Sequence, residues 1–198
     1  MLIVAGIGPG NPEYLNRNVE KTIKSAEKVL AFGRIAETLK DMRRDIIKVN
    51  RVDEVLDFIK DEKNVLLLAS GDPNFFGIVN FLKNKGIRID EVMPGISSFQ
   101  YMMAKLQKPW QDAKFLSLHG REDDLSLVKR YPLSIILIDK DHMPSEISRK
   151  LYELEIRGKI YVGYNLSYHD ETIIRKEIGE EIEDISSLGV VIVENEMA

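Results

Sequence analysis

Three short segments rich in glycine and proline carry the residue types that most often surround a small ligand. They read GIGPGNP from Gly6, ASGDPNFFG from Ala69 and MPGISS from Met93. Each follows a run of apolar residues that predicts a β-strand. Because the ligands of an open α/β sheet bind beyond the carboxyl ends of its strands, we expect the three segments to form loops that converge on one crevice.

The first segment differs from the usual dinucleotide-binding loop. That loop has the spacing G-x-G-x-x-G, leads directly into a helix and is followed by an acid about 20 residues later. Here the spacing is G-x-G-x-G, and Pro9 and Pro12 disfavour a helix that begins inside the loop. The next predicted strand ends in Phe32–Gly33 without a carboxylate. These features disfavour an ordinary NAD site and also the common nucleotide-type methyltransferase site built on the same plan. The chain also lacks a G-x-x-x-x-G-K-[ST] phosphate-binding loop.

The other two segments each allow a local explanation beside a ligand-binding one. Asp72 is a suitable N-cap and Pro73 a suitable first residue of a helix, so this turn can serve only to begin a helix. Ser97 and Ser98 likewise stand where a helix N-cap belongs. From the residues alone, both explanations stay open.

The elements that position these loops follow from the alternation of apolar runs with amphipathic stretches, which is typical of βα units around a mostly parallel sheet. The predicted strands are Leu2–Ile7, Lys28–Phe32, Asp45–Val49, Asn64–Ser70, Ile87–Val92, Ala113–Leu118, Leu133–Asp139, Lys159–Tyr164, Thr172–Glu177 and Gly189–Glu194. The predicted helices are Asn18–Ala26, Ile35–Asp41, Val52–Asp61, Phe75–Lys85, Ser97–Leu106, Asp124–Arg130 and Ser145–Arg157. Gly86 is expected to end one of them. We expect an α/β protein of two domains, residues 1–111 and 112–198.

Composition narrows the class of protein. Hydrophobic residues make up 44% and charged residues 30% of the 198 residues, as in ordinary globular proteins. The net charge of −4 does not favour nucleic acid or an anionic membrane as a partner. No apolar run approaches the roughly 20 residues of a transmembrane helix, and the apolar start Met1–Ile7 is too short for a signal peptide. We therefore expect a soluble protein of the cytoplasm.

A protein-bound metal is not expected. The three histidines, His119, His142 and His169, have no spacing typical of metal ligands. The absence of cysteine removes thiolate nucleophiles, disulfides and cysteine-ligated metals, and it fits a reducing compartment.

Taken together, in this order and spacing, the three glycine segments resemble those of the tetrapyrrole (precorrin) methylase family. Members of this family transfer a methyl group from S-adenosylmethionine to a macrocycle carbon. The resemblance implies two αβα domains with the cofactor in the cleft between them, and a homodimer.

Further segments look like one subgroup of that family. They read PWQD from Pro109, FLSLHGR from Phe115 and GYNLSYHDETI from Gly163, and they resemble the cobalt-precorrin-7 (C5)-methyltransferases of cobalamin biosynthesis. The same catalytic type forms the N-terminal half of a larger precorrin-6Y methylase. Asn16 departs from the threonine usual among relatives. Because the chain ends at Ala198, we expect a separate enzyme for the linked methylation and decarboxylation at carbon 15.

The resemblance also implies which residues meet S-adenosylmethionine. The glycines would let the backbone approach the cofactor, and the side chains of Phe75 and Leu166 would pack on it. The residues implied as cofactor contacts are Pro9, Ser70, Gly71, Asp72, Phe75, Ser97, Ser98, Ile138, Asn165 and Leu166.

Catalysis by methyl transfer demands positioning more than a catalytic triad. His119 and Arg121, at the end of a predicted strand, are candidates for contacting the carboxylates of the macrocycle or assisting proton movement, and Arg17 is a further candidate carboxylate clamp. The alternative for the first two is a hydrogen-bonded histidine and a solvated arginine.

Two other functions stay open at this point. One is methylation by the same fold at another tetrapyrrole carbon, or of a modified protein histidine as in diphthine synthase. The other is a non-catalytic module that binds S-adenosylmethionine or a nucleotide and regulates a partner.

Overall fold

The computed structural model describes the whole chain, Met1–Ala198, as two compact units. They comprise Met1–Ser97 and Ser98–Ala198. The second unit begins one helix earlier than the predicted division after residue 111. None of the helices has both the length and the apolar character needed to cross a membrane.

The first unit is a five-stranded parallel sheet with helices on both faces. Its strands follow the order β3–β2–β4–β1–β5. All four of its strand pairs are parallel, as predicted. The elements are β1 (Leu2–Gly6), α1 (Arg17–Ser25), β2 (Lys28–Phe32), α2 (Gly33–Thr38), β3 (Ile47–Val49), α3 (Val52–Asp61), β4 (Val65–Ala69), α4 (Ile78–Asn84) and β5 (Glu91–Met93).

The central strand β4 shows why this sheet forms. It is buried at every position, and its side chains alternate between two apolar layers. Leu66 and Leu68 pack on the side of α1 and α2, whereas Val65 and Leu67 pack on the side of α3 and α4. A parallel sheet covered on both faces requires such an unbroken apolar run, which is the pattern VLLLA in the sequence.

The second unit holds a mixed sheet, in the order β6–β7–β10–β8–β9. Only β6 and β7 are parallel, so the prediction of a mostly parallel sheet is right for the first unit and wrong for the second. The elements are α5 (Ser98–Leu106), β6 (Lys114–Ser117), β7 (Leu133–Leu137), α6 (Pro144–Glu153), β8 (Gly158–Tyr164), β9 (Thr172–Glu177) and β10 (Gly189–Asn195). Residues 165–171 join β8 to β9 without a helix, and such a short link allows only an antiparallel pair. The predicted helix at 124–130 is instead a 3-10 helix over Leu125–Arg130.

Helix α5 belongs to the second unit because of its apolar contacts there. The sulfur of Met102 lies 2.7 Å from the position that a Cβ on Gly163 would occupy, so β8 and α5 are in close contact. Phe99 packs edge-on against Trp110 and Phe115, with ring centroids 5.1 and 5.0 Å away. These contacts tie the segment after α5 to β6.

Helices α4 and α6 end in the same way but with different residues. The residue past the end of α4 is Gly86, with φ +71°, and the corresponding residue of α6 is Glu155, with φ +62°. In both helices, the backbone N–H of this residue and of the next one donate to carbonyls of the last turn, which is the Schellman motif. The expected role of Gly86 is confirmed. The same turn ends α6 before Arg157, where the predicted helix ended.

We predict that Glu155→Gly stabilises the protein by about 0.5–1 kcal/mol, because glycine adopts left-handed backbone without the steric cost paid by a residue with a Cβ. Glu155 is exposed, so little packing is lost. Urea unfolding measures the difference. The control Glu153→Gly lies within α6 and should destabilise by about 1 kcal/mol. Equal losses in the two variants would contradict the prediction.

Candidate functional site

The three glycine loops meet at the carboxyl edge of the first sheet, as the sequence predicted. The first and second loops form a small antiparallel bridge between Gly8 and Gly71. The N–H of Gly71 donates to the oxygen of Gly8 at 2.8 Å, and the N–H of Gly8 donates to the oxygen of Gly71 at 3.4 Å. The third loop joins them through Gly95.

Two glycines are required by the neighbouring backbone. A Cβ on Gly95 would lie 2.2 Å from the carbonyl oxygen of Gly71, and a Cβ on Gly6 would lie 2.5 Å from the same oxygen. Both distances are far inside van der Waals contact, so no side chain fits at either position. The sequence interpretation assigned the glycines to close approach of a cofactor. At Gly6 and Gly95, the group that approaches is the protein's own carbonyl.

Asp72 links the second loop to the third. Its Oδ1 accepts a hydrogen bond from the N–H of Asn74 at 2.7 Å, and its Oδ2 accepts one from the N–H of Gly95 at 3.3 Å. Helix α4 begins only at Ile78, so the alternative in which Asp72 and Pro73 begin this helix is wrong. The carboxylate instead holds two loops together.

The turn before α4 is strained. Phe76 has φ +48°, which is rare for a bulky residue, and a Cβ on Gly77 would lie 2.4 Å from the oxygen of Pro73. The predicted helix start at Phe75 is therefore wrong. The rings of Phe75 and Phe76 pack edge-on with centroids 4.9 Å apart. Backbone strain of this kind is concentrated at binding sites, where the surrounding structure maintains it.

The other predicted residues of the first unit differ in exposure. Pro9 is buried in the first loop, and Ser97 is buried with its Cα 3.6 Å from the position of a Cβ on Gly71. Ser70 is exposed at the end of β4. Arg17 is the exposed first residue of α1, whose N-cap is Asn16. The departure at Asn16 thus preserves a helix cap.

In the second unit, the structure brings together His119 and Ile138. They follow the neighbouring parallel strands β6 and β7, and the Nδ1 of His119 lies 3.1 Å from the carbonyl oxygen of Ile138. A carbonyl oxygen can only accept, so this bond places the proton on Nδ1. In the neutral ring the remaining nitrogen, Nε2, is then an acceptor. His119 is exposed and Ile138 is buried.

Asp139, which the sequence interpretation missed, organises the loops around this histidine. Its Oδ2 accepts a hydrogen bond from the N–H of Gly120 at 3.0 Å, and its Oδ1 accepts from the backbone N–H of His142 and contacts the Nδ1 of that ring at 2.9 Å. The bond from Gly120, with the further bonds from His142 and Asp141, lowers the pKa of Asp139 to about 2 against the cost of burial. The signal in the sequence is an acid as the last residue of the predicted strand Leu133–Asp139.

Asn165 and Leu166 occupy a loop that is held mainly by its own polar groups. The amide of Asn165 donates to Asp170 at 2.8 Å and accepts from the hydroxyl of Ser186 at 2.8 Å. Asn165 and Ser167 both have positive φ, +47° and +70°. The side chain of Leu166 is buried against Gly163 of β8.

These residues of the second unit lie along one edge of its sheet. Gly189 at the start of β10 pairs with the last residue of β8, and a Cβ on it would lie 3.0 Å from Cδ1 of Ile138. The N–H of Asn165 donates to the carbonyl oxygen of Leu188, the residue before Gly189, at 3.0 Å. His119, Ile138 and Asn165 therefore share this edge. Arg121 lies beyond it in the exposed loop after β6, and Ser98 is the first residue of α5.

We predict that Gly95→Ala destabilises the protein by about 1–3 kcal/mol or more, because the new Cβ would meet the backbone oxygen of Gly71. The control is Gly33→Ala, where the Cβ would come close only to the end of the flexible Lys48 side chain and would meet Asn50 Oδ1 at an ordinary contact distance of 3.4 Å. Its effect should stay within about 0.5 kcal/mol. Urea unfolding compares the two variants, and a loss at Gly95 no larger than that at Gly33 would refute the close contact.

We also predict a pH-dependent contribution from Asp139. A carboxyl whose folded pKa is about 2, below its unfolded value of 3.8, stabilises the folded state above pH 4 and loses this effect as the pH falls toward 2. The difference in free energy of unfolding between wild type and Asp139→Asn should therefore narrow as the pH falls from about 4 to about 2. Because the other carboxyls are common to both proteins, they cancel in this difference. A constant difference would contradict the prediction.

Comparison with known proteins places this arrangement in one family. The sequence profile described as "Tetrapyrrole (Corrin/Porphyrin) Methylases" matches residues 1–181. A probable cobalt-precorrin-7 C(5)-methyltransferase of Methanocaldococcus jannaschii is 30% identical over 197 residues, covering 91% of this chain and 90% of that protein.

Two crystal structures show the same fold. The precorrin-6Y methylase of Archaeoglobus fulgidus superposes with a TM-score of 0.76 at 24% identity over 99% of this chain and 98% of that one. The uroporphyrin-III C-methyl transferase of Thermus thermophilus, in complex with S-adenosylhomocysteine, has a TM-score of 0.78 at 23% identity over 98% and 96%. Given the match of the sequence profile over most of its length, the chain belongs to the tetrapyrrole methylase family.

Proposed function

We propose that this chain is an S-adenosylmethionine-dependent methyltransferase that methylates C5 of cobalt-precorrin-7, or of precorrin-6Y, in cobalamin biosynthesis. The observation that carries the proposal is the junction of three glycine loops at one sheet edge in a member of this family. The choice of substrate is supported by the relative named for cobalt-precorrin-7, which is similar over nearly the whole chain.

The residues of the first unit fit a role in holding the cofactor. Its edge presents the exposed Ser70 beside a strained turn that contains Phe75, and the bonds of Asp72 fix the turn relative to the third loop. Hydroxyl and backbone groups there can bind the polar parts of S-adenosylmethionine, and the aromatic ring can pack on its apolar part. We assign the same function to the other implied contacts, namely Pro9, Gly71, Ser97, Ser98, Ile138, Asn165 and Leu166.

When bound, S-adenosylmethionine supplies an electrophilic methyl group, which bonds to the substrate carbon as its bond to sulfur breaks. The chain must then align the macrocycle, exclude water and accept any proton that the methylated carbon releases. His119 suits the last task, because the bond to Ile138 leaves Nε2 as the acceptor. Arg121 and Arg17 are exposed cations suited to the macrocycle's carboxylates.

The remaining parts of the proposal rest on composition and on the resemblance. They are a homodimer, a cytoplasmic location, the absence of a protein-bound metal and a separate enzyme that acts at carbon 15. The cobalt would enter with the substrate.

The test is incubation of the protein with cobalt-precorrin-7 and S-adenosylmethionine labelled in its methyl group, followed by NMR of the product. We expect the label on carbon 5. Label at another macrocycle carbon would overturn the substrate assignment and leave the reaction class intact.

Calorimetry with S-adenosylhomocysteine measures cofactor binding separately from the turnover that the labelling experiment detects. Binding without turnover would favour a regulatory module, whereas no binding at high micromolar ligand would contradict every methyltransferase assignment.

A further inference from the structure

The second unit contains a basic cavity that lies apart from the residues assigned above to the cofactor and to proton transfer. Its volume is about 420 Å³, and it lies between the end of α5 and the strands β8, β9 and β10. Tyr161 in its wall precedes Asn165 by four residues, a separation of about 13 Å along the chain. The cavity is thus distinct from the edge that carries His119, Ile138 and Asn165. The charged and aromatic residues that line it are Lys105, Lys108, Lys159, Tyr161, Arg175 and Glu194.

Cations outnumber carboxylates in this cavity by four to one, in a chain whose net charge is −4. The one carboxylate, Glu194, is already engaged. It accepts a hydrogen bond from Nζ of Lys108 at 2.6 Å and another from the hydroxyl of Tyr161 at 2.7 Å. These bonds hold the pKa of Glu194 below its usual value even though burial raises it. Among the four cations, Glu194 forms a direct ion pair with Lys108.

The other cations differ in how far they are neutralised. Lys105 lies 3.3 Å from Glu171, and Lys159 lies 3.8 Å from Glu196 in an exposed pair of little strength. Arg175 forms no ion pair; its guanidinium carbon lies 5.6 Å from the ring centroid of Tyr161. Arg175 therefore has no anionic partner within the chain, and its guanidinium group is available to pair with a bound anion.

Tyr161 in the wall of the cavity restrains the side chain of Arg175. Tyr161 is only 4% exposed, and its hydroxyl is fixed by Glu194. Its ring contacts two cations, Arg175 and the Nζ of Lys108 at 5.2 Å from its centroid. Cation–π contact restrains the guanidinium group while leaving its N–H donors available. A planar guanidinium presented in this way matches the two oxygens of a carboxylate.

We propose that this cavity binds an anion with two or more carboxylate groups, one of which pairs with Arg175. The cations stand on three separate elements, so a molecule with carboxylates some distance apart satisfies them better than one compact anion. Lys159, whose ion pair with Glu196 is weak, receives the second group. Two kinds of molecule have this chemistry, namely a free polycarboxylate and the macrocycle with its carboxylate side chains. The assignment to the macrocycle rests on the proposed function.

Calorimetric titration of the full chain with tricarballylate tests the site. We expect binding to wild type and a loss of at least tenfold in affinity in Arg175→Gln. The matched control is Lys176→Gln, which removes the same charge from the next residue of β9, on the opposite face of the sheet. Its affinity should remain within twofold of wild type. Equal losses in both variants, or no binding to wild type at millimolar tricarballylate, would overturn the proposal.

A conservative variant and an activity assay complete the test. Arg175→Lys keeps the positive charge but lacks the paired N–H donors of a guanidinium group. Its affinity for tricarballylate should lie between those of Arg175→Gln and wild type. If the anion is the macrocycle, Arg175→Gln raises KM for cobalt-precorrin-7 at unchanged kcat; if it is a free polycarboxylate, KM is unchanged while tricarballylate binding is lost. The titration does not depend on turnover. It therefore still tests the cavity if the proposed methyl transfer is not observed.

Discussion

The carbonyl oxygen of Gly71 lies so close to the end of β1 and to the turn after β5 that neither Gly6 nor Gly95 has room for a side chain. Three loops are therefore packed backbone against backbone, with the Gly8–Gly71 bridge and the Asp72–Gly95 hydrogen bond on either side of the contact. The proposed cofactor contacts of the first unit depend on this junction. The three loops are therefore in direct contact and form one continuous surface.

The sequence predicted the convergence of these loops because their position after strands is a local signal, and parallel strands bring such ends to one edge. It did not predict why the glycines are needed, because the group that excludes a side chain at Gly95 comes from Gly71, distant in the chain. Asp72 is a second residue whose partner is distant in the chain and was not predicted. Its neighbours suggest a helix cap, whereas its partner is the N–H of Gly95 from another loop.

In the second unit, sequence patterns located the strands but not their directions. The absence of a helix between β8 and β9 was the available signal for an antiparallel pair, and the repeated βα pattern of the first unit obscured it. His119 and Ile138 were predicted as separate site residues, and their hydrogen bond depends on the parallel register of β6 and β7. Asp139 was missed because its partner Gly120 is distant in the chain, and because the predicted strand Leu133–Asp139 left no turn in which Asp139 could bond to Asp141 and His142.

Strand β9 has a consequence beyond the cavity that it helps to line. It is an edge strand, bonded to β8 alone, and an open edge can accept a strand from another molecule. Consecutive charges on Arg175, Lys176 and Glu177 oppose that pairing, because an incoming strand would have to desolvate them. The residue that gives the cavity its unpaired cation thus also helps to protect the sheet from aggregation.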